Sequence, residues 1–148
     1  MDPEIFRMPG HLINRSARLL LRLGEERFRP LGLAIAQMPV LYALKDGGSL
    51  TQMELATLAK IEQPTMAQLL TRMERDGLIR RTPNPRDKRS SLVSLTSFAL
   101  KKLPSAKKVL LEGNKEALQG FTDREIATLS RLLLRVVKNL DPDAALPS

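Results

Sequence analysis

The side chains that could do chemistry cluster between Ser49 and Thr96, and their types favour hydrogen bonding to a polyanion. Thr65, Gln68 and Arg72 are separated by three and four residues, so a helix that turns about 100° per residue places them on one side. Gln can contact adenine through two hydrogen bonds, and Arg can contact guanine in the same way. These three residues are candidates for contacts with base edges. The alternative is an ordinary solvated helix face.

A second charged group occupies the segment from Thr82 to Ser90. Pro83 and Pro85 disfavour a helix there. The charged side chains of this segment are Arg86, Asp87, Lys88 and Arg89. Cations at the tip of a hairpin would be attracted by the negative potential of a narrow minor groove. Alternatively, they only keep the hairpin soluble.

Three further polar residues are candidates for contacts with phosphates. Thr51 and Gln52 lie at the start of a helix pattern, and Lys60 lies in the turn that follows it. Helix N-termini and turns commonly fix a protein on the nucleic-acid backbone. Thr51 could instead serve only as a helix cap. If several phosphates are neutralised, binding must weaken steeply as the salt concentration rises.

Two short helices and a hairpin are predicted to position these residues. Thr51 to Ala59 forms the first helix, with a capping box between Thr51 and Glu54. Its predicted inner face consists of Leu55, Leu58 and Ala59. Lys60 to Glu62 is a turn of the length found in a helix-turn-helix.

The second helix begins at Gln63-Pro64, because Pro is favoured in a first helical turn, and it ends before Gly77. Its predicted inner face consists of Met66, Leu69, Leu70 and Met73. Leu78 to Arg81 and Ser91 to Leu95 are predicted strands on either side of the charged hairpin. This order of elements predicts a winged helix-turn-helix.

Helices are predicted on both sides of this region. One runs from Pro9 or Gly10 to about Phe28, and another covers Ile35 to Lys45, whereas Met1 to Met8 is expected to be partly ordered at best. A helix capped by Thr96 begins at Ser97, includes Phe98 among its apolar positions, and is kinked or displaced near Pro104. The last helix begins with the capping box Thr122 to Glu125 and ends near Asn139. The first and last helices have wide apolar faces, which predicts pairing with a second copy in a two-fold dimer.

Composition limits the remaining possibilities. The 148 residues fit one domain, and the 3% aromatic content without Trp favours a mostly α protein. With the predicted hairpin, the expected fold class is mostly α with a small β wing. A net charge of +8 indicates a polyanionic partner, either nucleic acid or a membrane surface. With no Cys there are no disulfides or thiolate metal sites. The chain lacks a signal pattern and an apolar run near the roughly 18 residues of a membrane span, so we expect a cytoplasmic protein.

Enzymatic function is not indicated. The chain has one His and no Cys, which excludes Cys–His pairs and His/Cys zinc clusters. It contains neither of the glycine-rich phosphate-binding motifs GxxxxGK[ST] and GxGxxG. We therefore predict no catalytic residues, no metal and no cofactor.

The segment from Asp87 to Thr96 fits the pattern D-x-R, five residues and L-T. Together with the helix-turn-helix pattern it resembles the MarR family of bacterial transcription regulators over about residues 10–140. The resemblance implies a single domain over residues 1–148, with dimerisation helices in 10–30 and 97–140 and a winged helix-turn-helix in 35–96. It also implies a homodimer on an inverted-repeat operator in double-stranded DNA. In the wing, Asp87 would hold Arg89 in place.

The function that follows is a dimeric, sequence-specific DNA-binding regulator, a repressor released by a small-molecule effector. The predicted DNA-binding residues are Thr51, Gln52, Lys60, Gln63, Thr65, Gln68, Arg72, Arg86, Asp87, Lys88 and Arg89. The alternative is a winged-helix module that binds protein without specific DNA binding, and a weaker one is attachment to an anionic membrane surface. Residues considered for the border of an effector pocket, but not assigned to it, are His11, Arg15, Met38 and Tyr42.

Overall fold

The computed structural model describes residues 2–144. Within this range the chain forms seven α-helices, two short 3-10 helices and three β-strands. The α-helices are α1 Pro3–Arg7, α2 Pro9–Phe28, α3 Met38–Ala43, α4 Gln52–Ala59, α5 Gln63–Arg75, α6 Ser97–Ala117 and α7 Asp123–Leu140. The strands are β1 Leu50–Thr51, β2 Ile79–Pro83 and β3 Ser91–Leu95, and the 3-10 helices are Arg29–Leu31 and Ile35–Gln37. The predicted mostly α fold with a small β wing is confirmed.

The chain divides into two compact units, Met1–Gly113 and Asn114–Ser148, and the boundary falls inside α6. The first unit contains the helix-turn-helix pair, the sheet and the buried core. The second contains the end of α6 and all of α7. The single-domain assignment, with its dimerisation segments, stays a prediction.

The core of the first unit is built around one face of α5. Met66, Leu70 and Met73 have no exposed surface, as the period of about 3.6 residues requires when a helix packs on one side. The other large side chains that are almost completely buried with them are Phe28, Val40, Leu41, Leu44, Leu55, Leu78 and Val93. Five of these residues lie in α2, α3, α4 and β3, whereas Leu44 follows α3 and Leu78 lies between α5 and β2. The core therefore holds the helix-turn-helix and the strands together.

The sheet is antiparallel, with the strand order β1-β3-β2. Ile79 lies opposite Leu95 and Pro83 opposite Ser91, so β2 and β3 form the hairpin that the sequence predicted. Strand β1 was not predicted. It pairs Leu50 with Val93 and so joins the start of α4 to the hairpin.

The end of α5 follows the predicted glycine. Gly77 has φ of 73°, in the left-handed region where a residue without Cβ is favoured. The N–H of Leu78 donates to the carbonyl of Met73 at 2.8 Å, which closes the last turn. The turn at Gly77 therefore changes the direction of the chain so that β2 begins two residues later.

The predicted inner face of α4 was partly wrong. Leu55 is buried and Ala59 is half-buried, but Leu58 is 64% exposed and Ala56 is buried instead. The helix has only eight residues, so its neighbours decide which side is covered. In α6, Phe98, which was listed among the apolar positions, is 54% exposed, and the adjacent Ala99 is buried.

Three boundaries differ from the prediction. The segment before α2 is ordered as α1, which Asp2 caps by accepting from the N–H of Glu4 at 3.0 Å. The predicted helix over Ile35 to Lys45 is a 3-10 turn followed by α3, which ends at Ala43. Strand β2 is Ile79–Pro83 instead of Leu78 to Arg81, so it extends two residues into the segment predicted as the hairpin tip. Helix α6 contains Pro104, and the kink near it stays a prediction.

Helix α7 begins with the capping box that the sequence predicted. The Glu125 carboxylate accepts from the N–H of Thr122 at 2.9 Å, and the Thr122 hydroxyl accepts from the N–H of Glu125 at 3.1 Å. Hydrogen bonds from the backbone and the side chain of Thr122 lower the pKa of Glu125 below its ordinary value of 4.5. Because the folded-state pKa is lowered, this cap is complete above the ordinary value and weakens as the pH falls through the lowered one.

The burial of α5 gives a test of the fold. Leu70→Ala leaves a cavity in the core and is expected to lower the free energy of unfolding by about 2–5 kcal/mol. Leu58→Ala removes the same atoms from an exposed position and is expected to change it by less than about 0.5 kcal/mol. Urea denaturation of both variants measures the difference. Equal losses would contradict the described packing.

Candidate nucleic-acid interface

The outward face of α5 is polar and open to solvent. Thr65, Gln68 and Arg72 are exposed, on the side opposite the buried Met66, Leu70 and Met73. A shallow open groove of about 310 Å³ is lined by Ala67, Gln68, Thr71 and Arg72. Two of the predicted contact residues, Gln68 and Arg72, therefore share one surface.

Thr71 was not among the predicted site residues, although it borders this groove. Its hydroxyl donates to the carbonyl of Ala67 at 2.9 Å, one turn earlier in α5. The sequence places Thr71 on the outward face by periodicity, which was the available signal. The hydroxyl proton is used in this bond, so Thr71 can act toward a partner only as a hydrogen-bond acceptor.

The turn between α4 and α5 brings two predicted residues to the surface. Lys60 has φ of 55° and is exposed, and the next N–H, from Ile61, donates to the carbonyl of Ala56 at 3.0 Å. Gln63 is the first residue of α5 and is also exposed. The N–H groups of a first helical turn point out of the helix and favour an anion. This end of α5 is suited to a phosphate.

The start of α4 holds Thr51 and Gln52. The Thr51 hydroxyl accepts from the N–H of Glu54 at 3.2 Å, and the Glu54 carboxylate accepts from the N–H of Thr51 at 2.8 Å. The predicted capping box is confirmed by these two bonds. Gln52 is half-buried, as the first residue of the helix. A phosphate contact from either residue stays a prediction.

The wing tip, residues 84–90, is shaped by its own polar side chains. Asn84 donates from Nδ2 to the Ser90 hydroxyl at 3.0 Å and accepts at Oδ1 from the N–H of Arg86 at 3.1 Å. The Asp87 carboxylate accepts from the backbone N–H of Arg89 at 2.9 Å. Aspartate and asparagine commonly stabilise turns in this way.

Asp87 thus orders the backbone at Arg89, and the contact is with the N–H rather than the guanidinium. The side chains of Arg86, Lys88 and Arg89 are exposed on the tip. Three cations therefore lie within four successive residues on a hydrogen-bonded turn. Such a tip can approach a phosphate backbone or a narrow groove without first being ordered.

Two other arginines near α5 are paired with carboxylates. Arg81 on β2 lies 3.7 Å from Glu74 on α5, and it is only 27% exposed. Arg75 lies 3.1 Å from the neighbouring Asp76. The first pair ties the wing strand to α5. Sequence spacing does not reveal this pair, because the contact depends on the position of β2 beside α5.

The four residues considered for an effector pocket have separate surroundings. Met38 is part of the core, Arg15 is exposed, and Tyr42 is 38% exposed. His11 packs edge-on against Phe6, with ring centroids 4.9 Å apart. Ordinary packing accounts for Met38 and His11.

Other kinds of site find no support in the part of the chain that the structure describes. Among residues 2–144, no group of three His, Cys, Asp or Glu side chains is placed to hold a metal ion. No helix within the same range combines the length and apolar content needed to cross a membrane.

The chain is similar to known transcription regulators. Residues 31–90 match the model of the MarR family. The chain is 36% identical to the uncharacterized HTH-type transcriptional regulator YwoH of Bacillus subtilis, over 82% of this chain and 88% of that protein. It is 30% identical to the multiple antibiotic resistance protein MarR of Escherichia coli, over 86% of this chain and 90% of that protein. It is also 27% identical to the HTH-type transcriptional repressor IacR of Pseudomonas putida, over 79% of this chain and 70% of that protein.

Solved structures give the same result for the fold. A mutant MarR from Escherichia coli in complex with operator DNA has a TM-score of 0.81 at 29% identity, covering 93% of this chain and 99% of that one. A putative MarR family regulator from Listeria monocytogenes, in complex with a 26mer DNA, has a TM-score of 0.79 at 27% identity. That match covers 93% of this chain and 91% of the Listeria chain.

The order of the wing tip can be tested without a ligand. Asp87→Ala removes the acceptor for the N–H of Arg89, and we expect solvent exchange of that amide to become roughly fivefold faster, for a loss of about 1 kcal/mol. NMR measures this exchange residue by residue. Lys88→Ala is the control, since its exposed side chain changes the charge of the tip without removing that acceptor. Equal acceleration in both variants would contradict the role of Asp87.

Proposed function

This chain belongs to the MarR family of transcription regulators, and we propose that it binds a specific operator in double-stranded DNA as a homodimer. The observation that carries the proposal is the division of α5. On its apolar face Met66, Leu70 and Met73 are completely buried and Leu69 is half-buried. Thr65, Gln68 and Arg72 are exposed on the opposite face. An α-helix fits the major groove, where such side chains can distinguish bases.

The predicted site residues take three roles in this proposal. Helix α5 is the recognition helix, with Gln68 and Arg72 contacting base edges and Thr65 beside them. Thr51, Gln52, Lys60 and Gln63 contact phosphates and fix the register of the helix. Arg86, Lys88 and Arg89 contact the flanking minor groove, while Asp87 holds the tip in shape. The two relatives solved with DNA support this arrangement through their shared fold.

A second copy of the chain is the proposed partner of the terminal helices. Helix α7 has no buried residue, although its apolar positions lie on one broad face. Large side chains exposed on that face are Leu129, Leu132, Leu133, Val137 and Leu140. Helix α2 likewise exposes Leu12, Leu19 and Leu20. So much apolar surface favours association, and we assign dimerisation to segments 10–30 and 97–140 and DNA binding to 35–96.

Two-fold symmetry determines the form of the operator. A dimer with one recognition helix per protomer requires inverted half-sites, whose centres lie about one helical turn apart. We propose repression as the outcome of binding, as in the name of the Pseudomonas putida relative. Release by a small-molecule effector and action in the cytoplasm, where the DNA is accessible, complete the proposal.

Selection of bound duplexes from a random pool tests the central proposal. The expected product is an inverted repeat, and its affinity should fall steeply between about 50 and 200 mM salt because counterions are released from neutralised phosphates. Enrichment of no sequence, with binding that is weak at every salt concentration, would instead favour a protein-interaction module.

Charge removal on the wing should weaken binding to the selected operator. Arg89→Ala is expected to raise the Kd at least about tenfold, because it removes a cation from the groove. Arg72→Ala should additionally relax the preference at one base pair. Arg131→Ala, on the polar side of α7, is the control with the same loss of charge. Fluorescence anisotropy measures the three Kd values, and an equal loss for Arg89→Ala and Arg131→Ala would contradict the wing assignment.

The proposed dimer can be disrupted at α7. Leu133→Glu places a carboxylate in the apolar face, where burial of a charge is costly, and we expect a folded monomer that has lost operator affinity. Thr128→Glu adds the same group at an exposed position on the polar side of the helix. Sedimentation velocity distinguishes monomer from dimer. A dimeric Leu133→Glu variant would show that α7 does not form the interface.

A further inference from the structure

The exit of α5 is joined to the start of α6 by Thr96. The Thr96 hydroxyl donates to the carbonyl of Gly77 at 2.6 Å, and it accepts from the N–H of Ala99 at 3.2 Å. The N–H of Thr96 donates to the carbonyl of Leu78 at 3.0 Å. Thr96 thus contacts the carbonyls of the two residues between Asp76 and β2, and it caps the helix that follows the wing.

Gly77 is not an ordinary loop residue. It ends α5 in a left-handed conformation, and its own N–H donates to the carbonyl of Glu74 at 3.1 Å. The peptide that Thr96 contacts is therefore part of the terminal turn of the recognition helix. A change in the position of Thr96 would be transmitted to α5 without an intervening flexible segment.

The start of α6, on the other side of Thr96, is also held by neighbouring residues. Three residues after Thr96, Ala99 is completely buried. The ammonium of Lys102 donates to the carbonyl of Leu31, at the end of the 3-10 turn that continues α2, and lies 4.7 Å from the centre of the Phe98 ring. The first two turns of α6 are thus attached to both α2 and the exit of α5.

We propose that Thr96 is a positioning residue for operator recognition. Its hydroxyl fixes the angle between the recognition helix and α6, and α6 is the first helix of the segment 97–140 that is assigned to dimerisation. In the dimer this angle sets the separation of the two recognition helices, and hence the spacing of half-sites that the protein accepts. The inference rests on the proposed function, since it concerns how the same DNA-binding surface is held.

If Thr96 acted only as a helix cap, its replacement would have a different effect. Loss of a cap lowers stability but does not select among DNA spacings. Thr96→Val keeps the shape of the side chain and removes both the donor and the acceptor. Thr96→Ser keeps both. Thr57→Val is a control for the loss of a threonine hydroxyl elsewhere, because that hydroxyl donates only within α4, to the carbonyl of Met53 at 3.0 Å.

The first measurement uses DNA. The Kd values of the wild type and the three variants are compared on the selected operator and on duplexes whose half-sites are one base pair closer or farther apart. We expect Thr96→Val to bind the best spacing at least tenfold more weakly and to lose the preference between spacings. The Thr96→Ser and Thr57→Val variants should retain the wild-type affinity and the wild-type preference between spacings. Retained preference in a folded, dimeric Thr96→Val variant would overturn the inference, as would an equal loss of affinity at all spacings.

The second measurement needs no DNA. The chain has no Cys, so Gln68→Cys gives one spin-label site on each recognition helix of a dimer. Pulsed electron spin resonance then measures the distance between the two labels. We expect a narrow distribution of label distances in the protein with Thr96 and in the Thr96→Ser variant. In the Thr96→Val variant the distribution should be broader or shifted. An unchanged distribution would overturn the inference even if the operator is bound, whereas a wild type that binds no selected duplex would refute the proposed function and leave the distance result standing.

Discussion

The burial of three side chains on one face of α5 is the constraint on which the rest of the structure depends. Met66, Leu70 and Met73 have no exposed surface and are packed among side chains from α2, α3, α4 and the sheet. A close-packed interior tolerates little rotation of such a helix, since each side chain fits against specific neighbours. The rotation of α5 about its own axis is thereby fixed. The polar residues on the opposite side need no further support to face outward.

Periodicity predicts this face because α5 has 13 residues, enough for the apolar spacing to repeat. The same reasoning failed at Leu58, in a helix of eight residues where neighbours decide burial. Strand β1 was missed because its two residues become a strand only by pairing with β3. The candidate site could be predicted as a set of residue types on known elements. The bond from Asp87 to the backbone of Arg89 could not, since it depends on the conformation of the loop.

Charge around α5 is distributed unevenly, and the distribution follows from local pairing. Towards its C-terminal end, Arg75 and Arg81 have carboxylate partners in Asp76 and Glu74. Arg72, which lines the shallow groove on the surface of α5, lies farther from the C-terminal end of the helix. The cations of the wing tip are exposed. Surface pairs of this kind add little stability. Their effect is to offset positive charge beside the C-terminal end of α5, whereas the side chains of Arg72 and of the wing-tip cations are exposed.

The wing tip is held by bonds among its own residues, Asn84, Asp87 and Ser90, and contributes nothing to the buried core. The register of the hairpin is set below it, in the pairing of β2 with β3. Substitutions in the tip can therefore accumulate at little cost in folding, whereas substitutions in the strands cannot. In the proposed function, the preference for the DNA beside each half-site is therefore the part of recognition that can change without altering the scaffold.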